Sequence, residues 1–259
     1  MQHGSSQRVA IVTGASRRVG IGAAICRRLA ANGIAIAFTY WPAYDATMPW
    51  GSDDDAPDEL QRELGDLGVP AIAIQADHSV PETATVVLDE VGTRLGTPSI
   101  LVNNAAYSTS DGYEALDAAT LDAHYAVNLR GMALLSVEFV RRWPGGPGGR
   151  IINLTSGQSL GPMPSELAYA ATKGAVEAFT VSLSPSAYAK GVTVNAVNPG
   201  PTDTGWMSEE LAAILKTKFP TGRLGQPDDV ARLVAFLASP EAEWITGQVI
   251  HSEGGFLRS

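Results

Sequence analysis

Residues 8–22 of the chain read RVAIVTGASRRVGIG, an apolar run followed directly by a turn with glycines at positions 14, 20 and 22. The run at residues 8–13 predicts a buried β-strand, and the periodicity of residues 22–31 predicts a helix behind the turn. Glycines between a strand and a helix let the backbone approach a pyrophosphate at the helix N-terminus, although they also occur in loops for steric reasons alone. The turn is therefore a candidate dinucleotide site that needs support from the rest of the chain.

The alternation of strand and helix continues along the rest of the chain. Short apolar runs predict six more strands, at residues 34–40, 69–75, 99–103, 150–155, 192–198 and 248–251. Helical patterns lie between most of them, the longest at residues 121–142 and 168–190. Apolar strands separated by helices form parallel sheets that are covered on both faces. The chain is thus predicted to be of the α/β class, with a single doubly wound parallel sheet of Rossmann type and helices on both faces.

The domain organisation follows from length and composition. The chain has 259 residues, and α/β folds often run to about 250 residues as one domain. Residues 1–7 (MQHGSSQ) are polar and without pattern, whereas no break in composition divides the remainder. We expect a flexible N-terminal tail at residues 1–7 and one Rossmann-type domain at residues 8–259.

Composition also argues against several classes of partner. The 27 acidic and 18 basic residues give a net charge of −9, which disfavours a nucleic-acid-binding surface. No apolar run reaches the ~18 residues of a membrane span, and the N-terminus has no secretory pattern. The single cysteine, Cys26, can form no intrachain disulfide, and no Cys/His cluster has the spacing of a metal site. We therefore expect a cytoplasmic protein without nucleic-acid, membrane or metal partners.

A second motif lies in the predicted helix at residues 168–190. Tyr169 and Lys173 are four residues apart and share one helix face. An ammonium beside a phenol lowers a pKa that is ordinarily ~10, so the tyrosine can give a proton to an alkoxide near neutral pH. Ser156, at the end of a predicted strand, can present a hydroxyl to the same oxygen. The Tyr-x-x-x-Lys pair alone is common on helices and is often solvated or part of the packing.

Taken together, the motifs resemble those of the short-chain dehydrogenase/reductase family. The glycine turn resembles the family's T-G-x-x-x-G-x-G, and Ser156, Tyr169 and Lys173 match three members of its tetrad. Asn128 in YAVNL matches the fourth member, the helix asparagine. Three shorter segments also resemble family motifs: NNAA at residues 103–106, NPGPT at residues 198–202 and ITGQ at residues 245–248. The resemblance runs from about residue 8 to residue 256, and within the family it is to the 3-oxoacyl-carrier-protein reductases.

The resemblance implies a role for each of these residues. Tyr169 is expected to be the general acid/base, with Lys173 lowering its pKa and binding the nicotinamide ribose. Ser156 is expected to polarise the substrate carbonyl, and Asn128 to hold a water of the proton relay. The cofactor, NADP(H), supplies the hydride. The residues expected to bind it are Gly14, Ser16, Arg17, Arg18, Gly20, Ile21, Gly22, Tyr40, Asp77, Asn104, Tyr169, Lys173, Pro199, Gly200 and Thr202.

The end of the second predicted strand favours NADP(H) over NAD(H). In this fold an acidic residue there binds the adenosine ribose and repels a 2′-phosphate, but this chain has Tyr40 at that position. Arg17 and Arg18 can form paired hydrogen bonds to the phosphate, unless both face water. Asp45 and the acidic residues 53–55 are the counter-argument, because their segment could fold a carboxylate back to the ribose.

The chain departs from the family pattern in three places, and one further segment is unusual in itself. The first departure is NNAA at residues 103–106, where the family has N-N-A-G. The segment at residues 41–59 (WPAYDATMPWGSDDDAPDE) is long for a connection, and its aromatic residues fit an apolar cluster on the rim, a lid beside the adenosine end or a subunit contact. Five residues rather than three separate Gly14 from Gly20. Near the end of the chain, SEGG at residues 252–255 replaces the more usual D-G-G.

The implied activity is the interconversion of a ketone and a secondary alcohol. The substrate is expected between residues 156–167 and 202–216, facing a mostly apolar set that favours a small ketone with an apolar body. That set is Tyr107, Gln158, Leu160, Met163, Trp206 and Met207. The family resemblance also implies a homotetramer in which long helices pair between subunits.

Several alternatives remain open. The substrate could be a 3-oxoacyl thioester on an acyl carrier protein, with Arg141, Arg142 and Lys190 as a basic landing patch, although the net charge of −9 opposes an acidic partner at long range. The same tyrosine could serve an imine reductase, a dehydratase or an epimerase. A non-catalytic NADP(H) sensor is a further alternative, but it would need neither Ser156 nor Tyr169.

Overall fold

The computed structural model describes residues 7–258, and these residues form one sheet of seven strands. Every neighbouring pair is parallel, in the order β3-β2-β1-β4-β5-β6-β7. The strands are β1 (Val9–Val12), β2 (Ala35–Tyr40), β3 (Ala71–Gln75), β4 (Ile100–Asn103), β5 (Gly149–Leu154), β6 (Val192–Asn198) and β7 (Val249–His251). All seven predicted strands are confirmed. The predicted tail lies outside the described residues except for Gln7, so the domain limits stay predictions.

Helices cover both faces of the sheet because alternate side chains of a strand point to opposite sides. Ala10 and Val12 of β1 face one core, and Val9 and Ile11 face the other. The first core is covered by α1 (Ile21–Ala30), α3 (Ala56–Asp66) and α10 (Pro227–Ala238). The second is covered by α4 (Thr83–Arg94), α7 (Met132–Arg142) and α8 (Leu167–Tyr188). The predicted doubly wound Rossmann-type sheet is confirmed.

Shorter elements complete the chain. They are α2 (Pro42–Asp45), α5 (Gly112–Ala115), α6 (Ala118–His124), α9 (Glu209–Thr217) and a 3₁₀ turn at Pro240–Ala242. Of the helices between residues 7 and 258, none is both long and apolar enough to cross a bilayer. Within the same range, no three His, Cys, Asp or Glu side chains are grouped as ligands for a metal ion.

The predicted helix at residues 121–142 is not a single α-helix. α6 continues into a π-helical segment at Tyr125–Gly131, and α-helical geometry returns in α7. Asn128 lies in the middle of this segment. Gly131 permits its close packing, since a Cβ there would overlap the carbonyl oxygen of His78. Such wide turns are rare and are frequent at functional sites, which draws attention to Asn128.

The carboxyl edge of the sheet has a crevice where the strand order reverses. β1 lies between β2, which follows it in the chain, and β4, to which the chain returns after β3. The loops after β1 and β4 therefore diverge, and ligands of α/β folds bind at such a point. The glycine turn and the loops after β4, β5 and β6 all begin at this edge.

The segment at residues 41–59 packs against the rim of the crevice. The Tyr44 hydroxyl accepts a hydrogen bond from the backbone N of Ser108 (3.3 Å), and the Arg17 guanidinium lies 4.2 Å from the centre of the Trp50 ring. Of the three alternatives for this segment, these contacts favour the lid beside the adenosine end.

Candidate active site

A cavity of about 600 Å³ opens at the carboxyl edge between the loops after β1, β2, β3 and β4. Nine residues predicted to bind the cofactor line it: Gly14, Ser16, Arg17, Gly20, Ile21, Gly22, Tyr40, Asp77 and Asn104. Arg18 lines a smaller neighbouring cavity of about 220 Å³, and the segment Pro199, Gly200 and Thr202 lines neither. The sequence missed several lining residues from the segment at residues 41–59, among them Trp41, Tyr44 and Trp50.

The glycine turn is closely packed against the loop after β4. Gly14 has φ +71°, and a Cβ there would stand 2.6 Å from the Cα of Ala105. A Cβ on Gly22 would stand 2.6 Å from the Gly14 carbonyl oxygen. Asn104 braces the turn, since its Nδ2 donates to the carbonyl oxygens of Thr13 (2.9 Å) and Gly14 (2.8 Å). This backbone cradle at a helix N-terminus fits the pyrophosphate of a dinucleotide.

The two arginines of the turn have different surroundings. Arg18 is exposed and paired with α3, where its Nη1 lies 2.5 Å from Glu59 and its Nη2 lies 3.7 Å from Glu63. Arg17 reaches the loop after β6, and its Nη2 donates to the carbonyl oxygen of Thr204 (2.7 Å). Of these two arginines, Arg17 lines the larger cavity, whereas Arg18 lines the smaller one alone.

A carboxylate does stand near the end of β2. Tyr40 lines both cavities, as does Asp45, which is 6% exposed. The Asp45 Oδ1 accepts a hydrogen bond from the Trp50 indole (3.1 Å), which holds the carboxylate in place. The segment at residues 41–59 thus brings the Asp45 carboxylate toward the adenosine end. A second acidic residue of the same segment, Asp53, lines the smaller cavity.

Tyr169, Lys173 and Ser156 come together where β5 ends and α8 begins. The Lys173 Nζ lies 5.4 Å from the centre of the Tyr169 ring. The same Nζ donates to the Leu154 carbonyl oxygen at the end of β5 (2.8 Å). Ser156, two residues further along, stands close enough to the Tyr169 hydroxyl to lower the pKa of the phenol. The three side chains that the sequence singled out therefore form one cluster.

The pKa of Tyr169 is shifted in the direction opposite to the predicted one. Burial raises the pKa of the phenol above its usual value, Glu166 and Tyr44 raise this pKa further, and the nearby Ser156 hydroxyl opposes the rise. Burial lowers the pKa of Lys173 to about 8. The two directions differ because the spacing shows the nearby ammonium but not the loss of solvent, which disfavours the charged form of both groups.

Asn128 holds the loop after β4 against α8. Its Oδ1 accepts from the backbone N of Tyr107 (2.7 Å). Its Nδ2 donates to the Tyr107 carbonyl oxygen (2.9 Å) and to the Thr172 hydroxyl (3.1 Å). Both amide hydrogens are engaged, so the side chain has no donor left for the relay water that the resemblance implies.

Of the six residues predicted to face the substrate, five line neither of the two cavities described above. Tyr107 lines the larger cavity. The Gln158 amide instead donates to Glu177 (2.6 Å), and the half-exposed Trp206 donates to the Thr202 carbonyl oxygen (3.0 Å). The apolar members lie on the surrounding loops, exposed or partly buried: Leu160, Met163 and Met207.

A row of aromatic rings leads from the segment at residues 41–59 to Tyr169. Ring centres are 5.5 Å apart for Tyr44 and Tyr107, 4.9 Å for Tyr107 and His124, and 6.5 Å for His124 and Tyr169. His124 is fully buried. The four rings come from four separate segments of the chain, so no local sequence motif predicts that they lie together. The one indication in the sequence is the aromatic content of the segment at residues 41–59.

The structure contradicts the basic landing patch of Arg141, Arg142 and Lys190. α7 ends at Arg142 shortly before β5 begins, and Lys190 stands shortly before β6, so the three lie at the amino edge, opposite the cavity. Arg142 is also paired with Glu138 (2.9 Å) and Asp89 (2.6 Å). Sequence proximity to the long helices could not show at which edge these residues fall.

Comparison with known sequences gives relatives over the whole chain. The family model described as enoyl-(acyl carrier protein) reductase matches residues 14–257. The uncharacterized oxidoreductase YjdA of Bacillus subtilis (strain 168) is 55% identical over 260 residues, which cover 100% of both chains. The 3-oxoacyl-[acyl-carrier-protein] reductase FabG of Staphylococcus aureus (strain Mu50) is 34% identical over 249 residues, covering 95% of this chain and 96% of the relative.

Solved structures also match nearly the whole chain. A short-chain dehydrogenase/reductase from Serratia marcescens superimposes with a TM-score of 0.86 at 35% identity, covering 97% of this chain and 98% of the other. A blue fluorescent protein from a metagenomic library, solved in complex with NADPH, has a TM-score of 0.85 at 34% identity, covering 96% and 97%.

Proposed function

The chain belongs to the short-chain dehydrogenase/reductase family, and from that premise we propose that it interconverts a ketone and a secondary alcohol with NADP(H). The observation that carries the proposal is the cluster of Ser156, Tyr169 and Lys173 at the carboxyl edge of the sheet. The row of rings that includes Tyr107 joins this cluster to the cavity behind the glycine cradle. A binding protein without turnover would need the cradle but not the cluster.

The proposed mechanism divides the work between cofactor and protein. When bound, NADP(H) supplies the hydride. In reduction, the Ser156 hydroxyl donates to the carbonyl oxygen and polarises it. Tyr169 then gives its proton to the alkoxide; burial keeps that proton on the phenol at neutral pH, which is the state that reduction requires. The Lys173 ammonium stabilises the phenolate that is left.

The choice of NADP(H) rests on the cradle and on Arg17. The glycine cradle would hold the pyrophosphate, with Tyr40 and Asp77 at the adenosine end and the segment from Pro199 to Thr202 toward the nicotinamide. Arg17 is the residue available to a 2′-phosphate, because Arg18 is paired with α3. The NADPH in the blue fluorescent protein supports the same choice.

The proposed substrate is a small ketone with an apolar body. A carrier-bound 3-oxoacyl thioester is the second candidate, and the similarity to the S. aureus reductase favours it. The position of Arg141, Arg142 and Lys190 at the opposite edge disfavours it, because a carrier docked there would hold its thioester far from Tyr169.

We further propose a homotetramer in the cytoplasm. Leu134 on α7 and Val181 on α8 are 38% and 50% exposed, and pairing of these helices between subunits would cover them. Sedimentation at micromolar concentration should give about four times the 27.1 kDa chain mass. The mass of a single chain would contradict the proposal.

The test of the activity is a substrate panel with a matched pair of variants. Ketones, 3-oxoacyl thioesters and imines are assayed with NADPH and NADH, and alcohols with NADP⁺ and NAD⁺. Each assay uses the wild type, Tyr169→Phe and Tyr188→Phe, which changes a tyrosine at the far end of the same helix. We expect ketone reduction with NADPH, and a loss of ~10²–10⁴-fold in Tyr169→Phe with NADPH binding intact. Tyr188→Phe should match the wild type. A rate above about a third of wild type in Tyr169→Phe would overturn the mechanism, and no turnover of any compound would favour the sensor.

A further inference from the structure

The segment that carries Ser156 has no regular secondary structure. The chain leaves β5 at Leu154 and enters α8 at Leu167, with only turns and bends between. Residues 155–159 are called the serine loop below. A reactive hydroxyl on such a loop has to be held by side chains, because a displacement of 1 Å can cost roughly 10²-fold in rate.

One carboxylate oxygen, from Glu177 on α8, accepts hydrogen bonds from three side chains of the serine loop. The Oε1 of Glu177 accepts hydrogen bonds from Gln158 Nε2 (2.6 Å), Thr155 Oγ1 (3.2 Å) and Ser159 Oγ (3.3 Å). These donors stand on both sides of Ser156 in the chain. Hydrogen bonds to an ionised acceptor are shorter and stronger than neutral ones, so Glu177 restrains the loop more firmly than an ordinary turn would.

Glu177 also stands on the helix face that carries the rest of the cluster. Tyr169, Lys173 and Glu177 follow one another at intervals of four residues, and side chains at that spacing lie one above another. Thr155 also contacts the helix backbone, because its single hydroxyl proton is shared between Glu177 and the carbonyl oxygen of Lys173, which lies 3.1 Å away. One rigid helix thus carries the proton donor directly and holds the serine through Glu177.

We propose that Glu177 is a positioning residue, which sets the distance between the hydroxyls of Ser156 and Tyr169. This inference rests on the proposed function, because it requires Ser156 to contact the substrate. It also assigns the Gln158 amide to the loop's anchor instead of to the substrate. If Glu177 only stabilised the fold, its loss would lower Tm and leave the contribution of Ser156 to the rate unchanged.

A double-mutant cycle separates the two roles. Glu177→Ala, Ser156→Ala and the double variant are compared with the wild type in ketone reduction, with Tm and NADPH Kd measured in parallel. We expect Glu177→Ala to lower kcat about tenfold or more when Ser156 is present, and to add little when Ser156 is already alanine. NADPH Kd should not change, because the cradle is untouched. Glu177→Gln keeps a carbonyl oxygen for the Gln158 amide and should recover most of the rate.

The control for this cycle is a glutamate on another helix. Glu90→Ala removes a carboxylate from α4, far from the serine loop, and should keep the wild-type rate. Equal losses from Glu177→Ala in both backgrounds would overturn the proposal, as would a wild-type kcat in that variant. If Glu177→Ala does not fold, Gln158→Ala removes the shortest of the three bonds and takes its place in the cycle. A wild-type rate in Ser156→Ala would refute the contact of Ser156 with the substrate and with it this inference, whereas the absence of ketone reduction in the wild type would refute the proposed function itself.

Discussion

The Lys173 ammonium donates a hydrogen bond of 2.8 Å to the Leu154 carbonyl oxygen, and this bond ties the helix of the reactive groups to the end of β5. The lysine is 3% exposed. Because burial disfavours charge, the pKa of Lys173 is lowered to about 8, whereas the pKa of Tyr169 is raised. Near and above neutral pH, Lys173 is therefore the member of the pair that changes its charge.

We predict that kcat/KM for ketone reduction falls above about pH 8. Below that pH the ammonium stabilises the phenolate that forms as Tyr169 gives up its proton, and above it this charge is lost. Lys173→Arg stays charged throughout, so its profile should be lower but should not decline up to about pH 10. An unshifted decline near pH 8 in Lys173→Arg would assign the ionisation to another group.

The arginines of the glycine turn should differ in their effect on cofactor preference. The wild type should favour NADPH over NADH in kcat/KM, and Arg17→Ala should reduce this ratio by about ten- to a hundredfold, the value of one or two charge-assisted hydrogen bonds. Arg18→Ala should change it little, because Arg18 is paired with Glu59. Asp45→Asn should increase the preference, since a carboxylate near the ribose repels the phosphate.

Two results would contradict this assignment of the phosphate site. One is a wild-type ratio that favours NADH, which would mean that Asp45 accepts the ribose hydroxyls. The other is a larger loss of preference in Arg18→Ala than in Arg17→Ala, which would place the phosphate in the smaller cavity. Both ratios come from the same steady-state assay with one ketone.

The sequence predicts the strands because their signal is local. A strand buried on both faces is rich in β-branched and apolar residues, and VTVNAVN at residues 192–198 becomes β6 without a change in its limits. The glycine turn and the Tyr169–Lys173 spacing are local as well. Each of these features can be seen within a window of ten residues or fewer.

The remainder of the site depends on contacts between distant segments. The hydrogen bonds of Glu177 join α8 to the serine loop, and the pairing of Arg18 joins the glycine turn to α3. The π-helical segment at Tyr125–Gly131 owes its packing to His78, which comes from the loop after β3. The direction of the Tyr169 pKa depends on burial, which the spacing of residues along a helix does not show.

Arg258, near the end of the chain, should matter for both stability and substrate binding. Its Nη1 donates to Glu253 (2.9 Å), which is largely buried, and its guanidinium lies where a Cβ on Gly157 would stand. Arg258→Ala leaves the Glu253 carboxylate with Asn198 as a donor (2.8 Å). We expect the free energy of unfolding to fall by about 1–3 kcal/mol, and KM for the ketone to rise because the serine loop loses its cover.

The double variant Arg258→Ala/Glu253→Gln is the control for the Arg258 prediction. It leaves no unpaired buried charge, so urea unfolding should show part of the lost stability recovered while KM stays high. Unchanged stability in Arg258→Ala would mean that the pair behaves as an ordinary surface ion pair.

His78 stabilises the glycine turn through Thr39. Its Nε2 lies 2.9 Å from the Thr39 hydroxyl, which itself accepts a hydrogen bond from the backbone N of Gly14 (3.2 Å). The Thr39 proton is therefore free to go to a neutral imidazole. Burial lowers the pKa of His78 to about 4, with Asp77 opposing the shift.

This lowered pKa predicts a loss of stability in mild acid. The unfolded histidine has a pKa of ~6.5, so below that value the unfolded chain binds a proton that the folded chain does not, and stability falls as the pH falls toward 4. Between pH 7 and 5 this one group should lower the free energy of unfolding by about 2 kcal/mol. Urea unfolding at both pH values and at one protein concentration checks this.

His78→Asn removes the titrating group and should lose that part of the pH dependence, whereas His251→Asn, at an exposed site, should keep it. Equal pH dependence in all three proteins would show that His78 binds its proton in the folded state.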